Sequence, residues 1–141
     1  MNKCGEIQAY KDIFKGKKIL AAEDTEINRE ILSQMLEATG ISIDFAVNGK
    51  AAVEMFAGNI KKYDLFLTDI YMPEMDGYKT ARKLRAMEGG REIPIVAMTA
   101  NVSRKDIDKC LDAGMNGHIG KPVKITELIE ILKKFLIPNP Y

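Results

Sequence analysis

The sequence predicts a doubly wound α/β domain on a parallel five-stranded sheet, and three observations lead there. From Lys18 onward, short apolar runs alternate five times with stretches of helical periodicity. The apolar runs are short and end at turn or polar residues, as buried strands do. Four of them stop at residues that carry chemistry. Leu20-Ala21-Ala22 runs into Glu23-Asp24, and Leu65-Phe66-Leu67-Thr68 into Asp69. Ile95-Val96-Ala97-Met98 runs into Thr99, and Gly117-His118-Ile119-Gly120 into Lys121-Pro122. Alternating strand and helix units imply right-handed crossovers with helices on both faces of the sheet.

Each element has its own signal. The mixed residues up to about 15 read as a leader or linker outside the core. The first helix carries Ile27, Ile31, Leu32, Met35 and Leu36 on one face and stops near Gly40. Ile41 to Val47 alternates as a strand does. Asn48 is a good N-cap for a second helix bearing Ala52, Val53 and Phe56. After the third strand, the turn-rich Met72-Pro73-Glu74-Met75-Asp76-Gly77 leads to a helix with Tyr78, Ala81 and Leu84. Glu74 and Asp76 read as solvent-facing or capping residues of that loop. Pro94 opens the fourth strand, where its missing N–H is tolerated. Ser103 and Asp106 resemble a capping box for a helix with Ile107, Cys110 and Leu111, ended by Gly114. The last helix shows the cleanest stripe: Ile125, Leu128, Ile129, Leu132, Phe135 and Leu136.

Wound in the flavodoxin-like order 2-1-3-4-5, these units make a (βα)5 three-layer sandwich. That order sets the first and third strands side by side. Asp24 and Asp69 then end strands about 4.8 Å apart, at the edge of the sheet where ligands bind. The division expected is a leader over 1–15, one domain over 16–137 and a tail over 138–141.

Composition narrows the function. The net charge of +1 gives no general attraction to nucleic acid or anionic membrane. Cys4 and Cys110 are far apart, and with a single histidine the chain lacks a Cys/His zinc set of its own. This cysteine usage suits a reducing cytoplasmic setting. No apolar stretch approaches the roughly 20 residues of a membrane span. The methionines read as packing residues, and Lys61-Lys62, Arg104-Lys105 and Lys133-Lys134 as solvated faces.

Clustered carboxylates without histidine or thiolate favour a hard cation, and Mg²⁺ commonly takes one or two carboxylates beside waters. Asp24 and Asp69 would be direct ligands and Glu23 would act through water. Lys121 would contact a phosphoryl oxygen and Thr99 would offer a hydroxyl. Phosphoryl transfer requires mostly positioning and charge neutralisation, which this set supplies in kind. Asp69, between the metal acids and the Thr99/Lys121 pair, is the best nucleophile and would form an aspartyl phosphate.

Glu23-Asp24, Leu67 to Gly77, Met98-Thr99-Ala100 and Lys121-Pro122, in this order and spacing, resemble the receiver domain of two-component response regulators over residues 17 to 136. The resemblance implies Asp69 as phosphoacceptor and Mg²⁺ held by Asp24, Asp69 and the backbone carbonyl of Tyr71. Glu23 would assist through water, and Thr99 and Lys121 would bind phosphoryl oxygens. It also implies a cis Lys121–Pro122 peptide. Phe14 to Leu20, Glu23 to Arg29 and Gly114 to Pro122 are most similar to receivers of hybrid sensor histidine kinases. The implied partners are a histidine kinase dimerisation domain or a histidine phosphotransfer domain, docking on the first helix at Ile27 and Ile31. Homodimerisation through the fourth or fifth helix stays open.

Two departures stand out. His118 occupies the place of the family's switch tyrosine or phenylalanine, so a weakened switch is expected. Lys124 replaces an aspartate that often opens the last helix, leaving Thr126 as the alternative cap. Tyr71 and Asn101 match positions that tune phosphoryl lifetime in the family. The alternatives are a stand-alone single-domain regulator and a receiver-like interaction module that is not phosphorylated. A phosphatase or nucleotide-binding enzyme fits poorly, since GxxxxGK[ST], GxSxG and a DxD acid at Tyr71 are all lacking.

Overall fold

The computed structural model describes residues 10–58, 62–100 and 103–137. Five strands, β1 (Lys18–Ala22), β2 (Ser42–Ala46), β3 (Leu65–Asp69), β4 (Ile95–Thr99) and β5 (Gly117–Gly120), form one parallel sheet in the order β2-β1-β3-β4-β5. Between and after them run α1 (Glu26–Leu36), α2 (Gly49–Ala57), α3 (Gly77–Ala86), α4 (Arg104–Asp112) and α5 (Ile125–Leu136). The doubly wound order 2-1-3-4-5 is therefore the observed one.

Strand residues alternate between two cores because successive side chains point to opposite faces. Leu20, Ala22, Phe66, Ile95 and Ala97 pack with Phe56 of α2, Ala81 and Leu84 of α3 and Cys110 of α4. Ile19, Ala21, Leu65, Leu67, Val96 and Met98 pack with Leu32 and Leu36 of α1 and Leu128, Ile129 and Leu132 of α5. The three central strands are buried along their whole length, save for Lys18 at the start of β1. This is why they read as continuous apolar runs rather than alternating ones.

Local capping follows the sequence closely. Asn48 accepts from the Ala51 N–H, Asp76 from the Lys79 N–H and Ser103 from the Asp106 N–H. Gly40, at φ 78°, turns the chain out of a 3₁₀ turn (Glu37–Thr39) that follows α1. Thr126 does not cap the last helix. Helix α5 begins at Ile125 with Lys124 at the N-cap and no side-chain cap bond, so Thr126 already lies inside the first turn.

Two apolar assignments, those of Phe14 and Leu111, differ from expectation. Phe14 is fully buried, with Tyr10 and Ile13 packed beside it against the α1/α5 core. The Asp12 N–H donates to the Ala38 carbonyl (2.8 Å) and the Phe14 N–H to the Thr39 carbonyl (2.9 Å). The end of the supposed leader is therefore tied to the turn after α1 and belongs to the core. In α1, Leu32 and Leu36 are buried whereas Ile27 and Ile31 face outward, 64% and 41% exposed. Leu111 of α4 is likewise exposed while its neighbour Cys110 is buried. Pro138, Pro140, Lys61 and Cys4 lie outside the described residues.

Arg85 ties two loops together without a carboxylate. Its guanidinium donates to the carbonyls of Gly90 (2.7 Å), Ile93 (2.6 Å) and Gly114 (2.9 Å), and to the Asn116 side-chain oxygen (2.6 Å). Near the opening ends of β1 and β2, Asp44 Oδ2 accepts from the Tyr63 hydroxyl (2.7 Å) and pairs with Lys62 (3.2 Å) and Lys18 (3.4 Å). Burial pushes the Asp44 carboxyl up. The Tyr63 hydroxyl and the two ammonium groups outweigh it, leaving the carboxyl below its ordinary value.

Two stability measurements follow. Phe14→Ala should cost about 3–5 kcal/mol in urea unfolding, the range for a buried phenylalanine, where a true linker residue would cost almost nothing. Asp44→Asn should cost about 1 kcal/mol at neutral pH. Because the folded carboxyl titrates below the unfolded one, its contribution is complete above about pH 4 and fades as pH falls further. The gap between Asp44→Asn and the unmodified chain should therefore close in acid; a gap independent of pH would contradict the ionic account.

Candidate functional site

Parallel register brings the ends of four strands flush. Ala22 stands opposite Thr68, Asp69 opposite Met98, and Thr99 opposite Gly120. The ladder runs on into the connections: the Ile70 N–H donates to the Met98 carbonyl (3.2 Å) and the Lys121 N–H to the Thr99 carbonyl (2.9 Å). Glu23, Asp24, Asp69, Thr99 and Lys121 therefore meet at one edge of the sheet. The Lys121–Pro122 peptide is cis.

The acids converge. Glu23, Asp24 and Asp69 each place a carboxylate oxygen within 4.8 Å of the others. Lys121 Nζ donates to Asp69 Oδ2 at 2.8 Å and to Glu23 Oε1 at 3.2 Å. Glu23 is 1% exposed and Asp69 6%, whereas Asp24 is half-buried. Thr99 is also buried, at the end of β4.

Burial and neighbouring charge set the protonation tendencies. Burial pushes the Asp69 carboxyl above its ordinary value; Lys121 opposes this, and the charges of Glu23 and Asp24 reinforce it. Asp24 is raised by burial and by its contact with Glu23. Glu23 is driven up by burial too, but the Thr25 N–H and Lys121 outweigh that and leave it below the ordinary value. For Lys121, burial favours the neutral amine, yet its bonds to Asp69 and Glu23 hold the ammonium above its ordinary value.

Three carboxylates facing one ammonium leave a net −2 if all are ionised. An oxygen-only donor set with that surplus suits a hard divalent cation such as Mg²⁺, which tolerates few protein ligands and keeps waters. The residues present fit the ion.

The loop after β3 is pinned close to Asp69. The Gly77 N–H donates to the Ile70 carbonyl (2.7 Å), and a Cβ at Gly77 would stand 2.5 Å from the Asp69 carbonyl oxygen. Only glycine lets α3 start this close to the end of β3. Asp76 caps α3 and Glu74 is exposed, in agreement with their loop assignment. Tyr71, two residues beyond Asp69, turns its side chain to solvent, 57% exposed. His118 is half-buried in β5, three residues before Lys121. Asn101 lies outside the described residues.

Two features were not legible in the sequence. One is the direct Glu23–Lys121 pair across 98 residues of chain. The other is the support of Glu23 by Thr25, whose N–H and hydroxyl both donate to Oε2 (3.1 and 3.2 Å), and by Arg29, which donates to the Glu23 carbonyl (2.9 Å). The available signal was a hydroxyl residue directly after an acid pair at a helix start.

Comparison with known proteins agrees with this geometry. The profile of the response regulator receiver domain matches residues 19–133. Hybrid signal transduction histidine kinase L of Dictyostelium discoideum is 41% identical over 124 residues, 84% of this chain but 7% of that protein's length. Among solved structures, the receiver domain of sensor histidine kinase PA1611 from Pseudomonas aeruginosa superposes with a TM-score of 0.78 at 39% identity. It covers 86% of this chain and 98% of that one, and has a magnesium ion coordinated in its active-site cleft. The co-crystal of the Saccharomyces cerevisiae histidine phosphotransfer signaling protein Ypd1 with the receiver domain of its downstream response regulator Ssk1 matches with a TM-score of 0.80 at 29% identity. That match covers 88% of this chain and 91% of the other. With the acid pair, the strand-end aspartate and the Lys-Pro turn all in one place, the chain belongs to the response regulator receiver domain family.

Proposed function

We propose that this chain accepts a phosphoryl group from a phosphohistidine onto Asp69, as the receiver of a hybrid sensor histidine kinase or of the phosphorelay it feeds. The observation that carries the reading is the Lys121 ammonium lying 2.8 Å from Asp69 Oδ2 beside two further carboxylates. In the transfer, an Asp69 carboxylate oxygen bonds to phosphorus and the phosphorus–nitrogen bond breaks. The departing imidazole nitrogen keeps the electron pair and takes up a proton. Lys121 then exchanges its contact with Asp69 for one with a phosphoryl oxygen, and the Thr99 hydroxyl donates to another.

Asp24, Asp69 and the Tyr71 backbone carbonyl would hold Mg²⁺, with Glu23 acting through a water. Bound there, Mg²⁺ supplies charge neutralisation for the phosphoryl oxygens. The magnesium in the PA1611 receiver supports this assignment by likeness.

The partner we infer is a four-helix histidine phosphotransfer or kinase dimerisation domain. Exposed Ile27 and Ile31 on α1 offer it an apolar contact beside the site. The Ypd1–Ssk1 pair supports this class of partner. Among the described residues no helix is long and apolar enough to cross a membrane, and we place the domain on the cytoplasmic side. His118 acts as the switch residue, with a weaker response than a phenol or phenyl ring gives, since an imidazole is costlier to bury.

Two experiments test these assignments. Intact mass after incubation with a small acyl phosphate and Mg²⁺ should show one phosphoryl addition, lost in Asp69→Ala and on chelation. An addition that survives Asp69→Ala sinks the phosphoacceptor assignment. His118→Tyr should widen the difference in partner affinity between phosphorylated and unphosphorylated protein. An unchanged difference removes His118 from the switch.

A further inference from the structure

We propose that Thr25 is a positioning residue for this site, acting through Glu23; the inference rests on the reading of Glu23, Asp24 and Asp69 as a Mg²⁺ site. Thr25 occupies the N-cap position of α1, where a threonine hydroxyl ordinarily accepts a hydrogen bond from an N–H of the first turn. Here it makes no side-chain cap bond. The hydroxyl donates instead to Glu23 Oε2 at 3.2 Å, and the N–H of the same residue donates to the same oxygen at 3.1 Å. A bond that would have stabilised the helix end has been diverted to an acid in the site.

Arg29 completes the brace from the next turn. Its guanidinium donates to the Glu23 carbonyl at 2.9 Å, while its N–H closes the first helical turn on the Thr25 carbonyl at 3.1 Å. Glu23 is thus held at its backbone and at one carboxylate oxygen. The other oxygen, Oε1, is presented to Lys121. This leaves Lys121 shared between Glu23 and Asp69 in one fixed geometry, and leaves Asp24 and Asp69 as the acids available to the cation. Thr25 itself is exposed, so its hydroxyl is not required for core packing. Supporting bonds of this kind orient metal-site carboxylates, and their loss weakens metal binding even though they never touch the ion.

The test is a calorimetric Mg²⁺ titration of the full chain as unmodified protein, Thr25→Val, Thr25→Ser, Glu23→Ala and the Thr25→Val/Glu23→Ala double variant. Thr25→Val keeps the side-chain shape and removes only the hydroxyl. It should weaken Mg²⁺ binding about two- to tenfold, the range one hydrogen bond commands. Thr25→Ser should bind within about twofold of the unmodified chain, because it retains the donor. Added to Glu23→Ala, Thr25→Val should cause no further loss, since residues acting through one group are not additive. Equal binding by Thr25→Val and the unmodified chain overturns the inference, as does a full further loss in the Glu23→Ala background. Urea unfolding of Thr25→Val separates a helix-end role, which would lower the midpoint and leave Mg²⁺ affinity unchanged. No Mg²⁺ uptake by the unmodified chain would overturn the metal site and the inference together, an outcome distinct from failure of the Thr25 role alone.

Discussion

The parallel hydrogen-bonded register across β1, β3, β4 and β5 is the constraint on which everything at the site depends. The aligned pairs Ala22–Thr68, Asp69–Met98 and Thr99–Gly120 fix where each strand lets go of the sheet. The residues that follow have little choice of position. Glu23 and Asp24 leave β1, Asp69 ends β3, and Lys121 leaves β5 through a turn that sends its ammonium back across the sheet edge. Register in turn is locked by burial: slipping one strand by a residue would exchange its two core faces. The two apolar cores are therefore what holds the charges within a few ångströms of one another.

That arrangement confines charge that would otherwise disperse into water. Asp69 and Asp24 are pushed toward their neutral forms, while Glu23 and Lys121 are held ionised. The acids thus divide into Glu23, braced and held ionised, and Asp69 and Asp24, whose charged forms are disfavoured by burial and by the neighbouring acids. A divalent cation is the kind of group whose charge offsets that crowding. Gly77 keeps the floor of the site thin enough for this, since any larger residue would press on the carbonyl of Asp69.

The parts of this protein that were legible in its sequence are the local ones. Asn48, Asp76 and Ser103 cap helices three residues away, and each was readable from residue type and spacing. Asp69, Thr99 and Lys121 were readable because each interrupts or ends a strand run. The outward turn of Leu111 was not, because an apolar stripe wider than the buried strip does not say which of its edges is covered. Phe14 was missed for another reason: a single buried aromatic ahead of the first strand has no periodicity to announce it. The direction of the Thr25 hydroxyl depends on a choice between two nearby acceptors and donors, which spacing alone does not decide.

The anchoring of Phe14 gives the domain a defined mechanical entry. The chain reaches β1 only after being clipped to Ala38 and Thr39 at the end of the sheet remote from Asp69. Tyr10, Ile13 and Phe14 are thereby held against the α1/α5 core. The clip and the acidic edge lie at opposite ends of β1, about 16 Å apart for five residues. The position of Tyr10 and the orientation of the acidic edge are thus fixed relative to one another by the same apolar core.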